Sequence, residues 1–230
     1  MSLSLVPQIF YDLIARVMPG ALLFITGFVT FVGPRETVRI IVDTSSKQEL
    51  FTFWTFLAIS ILSYFLSLLL SEIDSILWEK IRGKKTKAKT KQCLNKCITE
   101  YNSLRKLFGE PALELKNDDF PSIYFMHDNL RPYSASETYR LLKLRAEQHL
   151  CEILFTGYFF LSIINIWYWS RTSTLFLMDR ALLEIVLIVA MYSFWKTGDK
   201  LERFFILGTF REWLFFNFPV GVMKNNPQKS

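Results

Sequence analysis

Long apolar stretches alternate with charged ones along the whole chain. The longest, Phe51 to Leu70, reads FTFWTFLAISILSYFLSLLL, twenty residues without a charged side chain. At about 1.5 Å of rise per residue, such a helix covers roughly 30 Å, the hydrocarbon thickness of a bilayer. An earlier stretch, Val17 to Val32, is broken only by Pro19, Gly20, Thr26, Gly27 and Thr30. It is short for a crossing. The residues before it, Gln8 to Arg16, place Asp12 and Arg16 one helical turn apart and read as an interfacial lead-in. Pro19 either kinks this helix or marks the start of the crossing. Gly20, Gly27 and Gly33 lighten it for close packing, although their spacing is not GxxxG. A third stretch, Leu150 to Trp169, closes on Trp167, Tyr168 and Trp169, an aromatic belt suited to the interface. The fourth, Leu175 to Trp195, carries Asp179, Arg180 and Glu184.

The polar stretches between them have their own patterns. Gly33-Pro34 ends the first crossing. Residues 35–50 read as a short polar loop in which the β-rich patch TVRIIVD forms a strand or a surface helix. The second crossing keeps its helical periodicity through Ile73, Ile76, Leu77 and Trp78 and leaves the membrane intact to about Gly83. Cys93, Cys97, Ile98, Tyr101, Leu104 and Leu107 or Phe108 recur at helical spacing, which predicts an amphipathic helix closed by Gly109. A proline-punctuated connector follows to Tyr133, apolar enough around FPSIYFM to pack against the helices or the membrane surface. Ser134 and Glu137 form a capping box for a helix running without proline to Trp169. After Trp195 an aromatic amphipathic segment suits an interfacial helix or an apolar seam.

Charge then orients these elements. From Lys80 to Lys96 there are eight Lys or Arg and no acid. A basic run beside a crossing marks the cytosolic side and attracts anionic headgroups. Lys196, Lys200, Arg203 and Arg211 belong on the same side, whereas residues 35–50 are balanced. The expectation is an all-α integral membrane protein with four transmembrane helices and both termini cytoplasmic. Residues 8–78 form an N-terminal hairpin (spans about 17–33 and 51–72), and 79–149 a basic cytosolic helical segment. Residues 150–197 form a second hairpin (spans about 150–169 and 175–195), and 198–230 a cytosolic amphipathic tail. The helical extensions build a small intracellular head. No positive region precedes the first apolar block, so a cleaved leader is not expected. With only Cys93, Cys97 and Cys151, the chain has no disulfide framework.

Candidate chemistry is sparse. Cys93, Cys97, His127 and His149 have metal-binding types, but neither CxxC nor HxxxH occurs, and buried apolar cysteines account better for the pair. Arg140, Arg145 and His149 crowd one helical stretch, yet the Arg145–His149 spacing is too short for the Arg-to-His pattern of helical ribonucleases. GxSxG, GxxxxGK and HExxH are absent, and no crossing contains histidine, so no enzyme and no cofactor or metal are expected. The nucleic-acid reading of the basic run is disfavoured because no aromatics interleave it. Ionisable groups inside a crossing are costly and rarely face lipid. Asp179, Arg180 and Glu184, with Asn165 at similar depth, are therefore the candidate intramembrane residues. They either form an ion pair snorkelling out at the interface or face a bundle interior, a water path or a subunit interface. Glu152, just inside the third crossing, is a further acid with Lys196 as its natural partner. Lys84, Lys85, Lys87, Lys89, Lys91, Arg140 and Arg145 are the candidate residues for anionic lipid or a partner.

The layout resembles that of small membrane effectors and sensors of bacterial anti-phage operons, and the resemblance covers layout only. Four crossings are few for a transporter and more often line a pathway as an oligomer, so the expectation is a homo-oligomeric cell-membrane protein whose head senses a partner or ligand and whose helices then change permeability. The alternative is a non-conducting anchor recruiting a soluble enzyme or nucleoprotein through its basic cytosolic surface.

Overall fold

The computed structural model describes residues 5–45, 53–114, 122–130, 135–171 and 177–219. Among them the regular structure is entirely α-helical: α1 Leu5–Val32, α2 Pro34–Ser45, α3 Phe53–Leu107, α4 Ile123–Leu130, α5 Ala135–Trp169 and α6 Leu177–Asn217. Ser134, the expected cap of α5, lies outside the described residues. Three helices hold stretches long and apolar enough to cross a membrane: Ala15–Val32, Leu57–Asp74 and Tyr139–Trp169. The expected fourth, on α6, is not among them; its first two turns carry Asp179, Arg180 and Glu184.

Several local expectations change. Residues 34–45 form a helix rather than a loop or strand. Gly33 stops α1 at φ +100°, and Pro34, with φ already near the helical value and no N–H to lose, begins α2. α3 continues through Gly83 and the lysine run as one 55-residue helix instead of two. Alternating lysine with Thr and Ala removes the apolar period without adding a helix breaker beyond one glycine. α3 ends as foreseen at Gly109, φ +70°. There the Glu110 amide donates to the Arg105 carbonyl (2.9 Å) and the Gly109 amide to Lys106 (3.1 Å), the paired bonds of a Schellman cap. The connector contains α4, started by the Ser122 hydroxyl, which accepts from the Phe125 amide at 3.3 Å.

The chain divides into two compact units. The first comprises residues 1–79 and 146–199. Leu23, Leu70, Ile153, Leu154, Tyr158, Leu161, Leu183 and Leu187 form its core. Two glycines permit close helix approach within it. A Cβ on Gly20 would fall 1.8 Å from the Ser63 carbonyl oxygen, and one on Gly157 would fall 2.4 Å from Leu23. Small residues at such crossings let backbones approach where hydrophobicity alone gives helices in lipid no reason to associate. The polarity of this unit is inverted. Thr30, Ser63, Ser67, Asp74, Thr156, Asn165, Arg180 and Glu184 are buried, whereas Phe28, Phe31, Ile61, Phe65, Leu69, Leu182, Ile185 and Val189 are exposed. Water-soluble domains distribute these types the other way.

The second unit comprises residues 80–145 and 200–230. Its core joins Cys93, Leu94, Cys97 and Tyr101 of α3 to Ile206, Phe210 and Leu214 of α6, with Met126 of α4 fully enclosed. The aromatic tail is thus half an apolar seam, while its Phe204, Phe215 and Phe216 stay exposed. Asn102 clamps the connector: its Oδ1 accepts from the Leu113 amide at 2.7 Å and its Nδ2 donates to the Leu113 carbonyl at 3.2 Å. Burial, with the Glu100 carboxylate beside it, pushes the Cys97 thiol up to about 11, so it stays protonated and unreactive in neutral solution.

Replacing Gly20 by Val should force α1 away from α3 and cost about 1–3 kcal/mol, a typical overpacking penalty. Gly27→Ala, whose Cβ would sit 3.7 Å from Leu161, should be tolerated. Thermal unfolding of the two variants in detergent compares them directly; equal midpoints would contradict the close crossing.

Candidate functional site

The candidate intramembrane residues come together inside the first unit. Arg180 sits in the opening turn of α6 and Glu184 one turn further on, about 10 Å along the helix from its start. Both are buried, with 8% and 6% of their surface exposed. They do not snorkel outward, and no direct ion pair joins them. Asn165 of α5, fully buried, lies between them. Its Nδ2 donates to a Glu184 carboxylate oxygen at 2.9 Å and to the Arg180 carbonyl at 3.1 Å. Its Oδ1 accepts from Arg180 Nη1 at 3.2 Å. One amide thereby satisfies the cation and the anion at once, which a side chain with both donors and an acceptor can do.

Two further groups complete the network. The Ser162 hydroxyl, one turn before Asn165 on α5, donates to Glu184. Arg180 Nη1 also donates to the backbone carbonyl of Thr30 on α1. That carbonyl is available for a reason legible in the chain. Its helical partner would be the amide of residue 34, and Pro34 has none. The arginine fills an acceptor that the proline left open. Its guanidinium carbon also lies 5.4 Å from the centre of the Tyr168 ring, within cation–π range.

Asp179 faces elsewhere. It pairs with Arg35 of α2 at 2.6 Å, and its position in the first turn of α6 suits the positive end of the helix dipole. Beside this pair is a cleft of about 230 Å³ lined by Val32, Gly33, Pro34, Arg35, Glu36, Asp179 and Arg180. The network and the pair together tie α6 to α1, α2 and α5 near one end of each.

The other candidate lysines and arginines belong to the second unit. Lys84, Lys85, Lys87 and Lys89 lie within α3, with side chains outside the described residues; Lys91 is exposed. Within the second unit, Arg140 Nη2 stands 3.9 Å from Glu212, and the Arg145 guanidinium carbon 5.8 Å from the Phe205 ring centre. Glu152 is met on its own helix, by Gln148 Nε2 at 2.7 Å and His149 Nδ1 at 3.4 Å, and not by the exposed Lys196. Cys93 and Cys97 are core residues, and among the described residues no three His, Cys, Asp or Glu cluster as metal ligands.

Sequence reading missed Ser162 and Thr30. Ser162 was within reach, since it precedes Asn165 by three residues and shares its helical face. The reading also missed a second inward polar pair, the Thr156 hydroxyl donating to Asp74 at 2.6 Å. No known protein family, curated protein or solved structure matches the chain.

Asn165→Leu keeps the branched shape but removes the amide's bonds to both charges, leaving Arg180 the Thr30 carbonyl and Glu184 the Ser162 hydroxyl. It should lower unfolding stability in detergent by about 1–3 kcal/mol, the cost of unsatisfied buried groups. Ser162→Ala, which leaves Glu184 its bond to Asn165, should cost less. Chemical denaturation in mixed micelles ranks the two, and an Asn165→Leu chain as stable as the parent would contradict the bridging role.

Proposed function

We propose that the protein is a four-span membrane sensor and effector whose buried charge network holds the bundle closed. In this reading α6 is the fourth crossing, its exposed aliphatic face toward lipid and its charged residues inward. The basic stretch and the second unit face the cytosol. A signal received by that unit pulls on the shared helices α3, α5 and α6, breaks the network and makes the membrane permeable.

The observation that carries this is Asn165 bridging two opposite charges that do not touch each other. Ionisable groups within a crossing are expensive to keep and mark function more often than scaffold. A direct pair would be self-contained. This bridge links two charges on α6 to Asn165 on α5 and to the Thr30 carbonyl on α1, and it is held only while those helices keep their present spacing. If the network contributes about 1.4–3 kcal/mol to the closed state, its loss shifts the open-to-closed ratio by roughly ten- to a hundredfold. The network points into one protomer, so this reading requires no subunit interface at Arg180 or Glu184.

Flux from liposomes loaded with potassium or a small dye tests the proposal. Purified parent protein should hold the gradient. Arg180→Gln and Glu184→Gln, checked as helical and monodisperse, should each leak at least about tenfold faster, following the same shift in closed-state population. Folded variants as tight as the parent would overturn the effector reading and leave the non-conducting anchor.

A further inference from the structure

We infer that α2 is a lipid-surface helix, lying in the headgroup region of the bilayer with Val38, Ile41 and Val42 turned toward the acyl chains. The helix begins two residues after the apolar stretch Ala15–Val32 ends. Its start is fixed by the Gly33 turn and by the Arg35–Asp179 ion pair. It therefore stands where a crossing helix meets the interface.

Its two faces differ in kind. At 100° per residue, Pro34, Val38, Ile41 and Val42 share one side, while Arg35, Glu36, Arg39 and Asp43 share the other, with Ile40 at the edge beside Glu36. The apolar side chains are not tucked into the unit. Val38 is 62% exposed, and Ile41 and Val42 are each 60% exposed. Exposed apolar surface also lines α1, through Ile25, Phe28 and Phe31. The apolar face of α2 thus continues the lipid-facing surface of the crossing it follows. The polar face is self-neutralising: Arg39 lies 4.0 Å from Glu36 and 3.9 Å from Asp43. With two basic and two acidic side chains on that face, attraction to anionic lipid contributes little. Insertion of the apolar face holds the helix down. This inference rests on α1 crossing the bilayer and not on the permeability reading.

The test is a nitroxide scan of single cysteines at Glu36, Val38, Arg39, Ile41, Val42 and Asp43 in vesicles of zwitterionic lipid. Cys93, Cys97 and Cys151 are buried, and label taken up by the parent chain is subtracted. Labels at 38, 41 and 42 should show a several-fold higher ratio of oxygen to water-soluble nickel accessibility than labels at 36, 39 and 43. The pattern should survive added anionic lipid and raised salt. Equal nickel accessibility at all six positions would place α2 in water, and shielding of 38, 41 and 42 from both agents would place protein over them. Either result overturns the inference.

Discussion

A carboxamide between a guanidinium and a carboxylate is the interaction on which the first unit turns. Asn165 gives Glu184 a donor and Arg180 an acceptor, and Arg180 extends the chain of bonds to the carbonyl that Pro34 leaves open on α1. Each charge is enclosed, and each would be costly to leave alone. The network can persist only while α1, α5 and α6 stay together. In lipid, where apolar contacts gain little from association, such bonds and the glycine-mediated approach of α1 to α3 supply much of the specificity of packing.

The distribution of polarity sets the context in which these bonds matter. Along α6, Arg180, Leu183, Glu184 and Leu187 turn inward while Leu182, Ile185, Val186 and Val189 turn outward. Along α3, Ser63, Ser67 and Asp74 are inward, with Leu62, Phe65 and Leu69 outward. The second unit differs, since its core is built from Cys97, Met126, Phe210 and Leu214 and its surface bears the ion pairs Arg211–Glu100 and Lys96–Glu100.

Legibility followed the strength of the periodic signal. The apolar cores of α1, α3 and α5 and the stop at Gly109 were readable because length, hydropathy and a left-handed glycine are local properties. The lysine run hides the continuity of α3, because a helix polar on every side shows no period. Residues 34–45 read ambiguously because β-branched Val38, Ile40, Ile41 and Val42 pull against helical propensity, and the proline start and the amphipathic period decide the outcome. In the site, Asn165, Arg180 and Glu184 stood out by their cost in an apolar stretch. Their inward direction did not, because it depends on which helices lie next to α6, and no local pattern carries that. Thr30 entered through its backbone, which side-chain reading passes over.

The coupling between Asn165 and Glu184 tests the central claim most directly. Unfolding free energies of Asn165→Leu, Glu184→Leu and the double variant, measured in mixed micelles, close a double-mutant cycle. The account predicts that the double variant loses less than the sum of the singles by about 0.6–1.7 kcal/mol, the range of interhelical hydrogen bonds in membranes. Strict additivity of the two losses would mean that the amide and the carboxylate do not depend on each other, and the network would not exist as described.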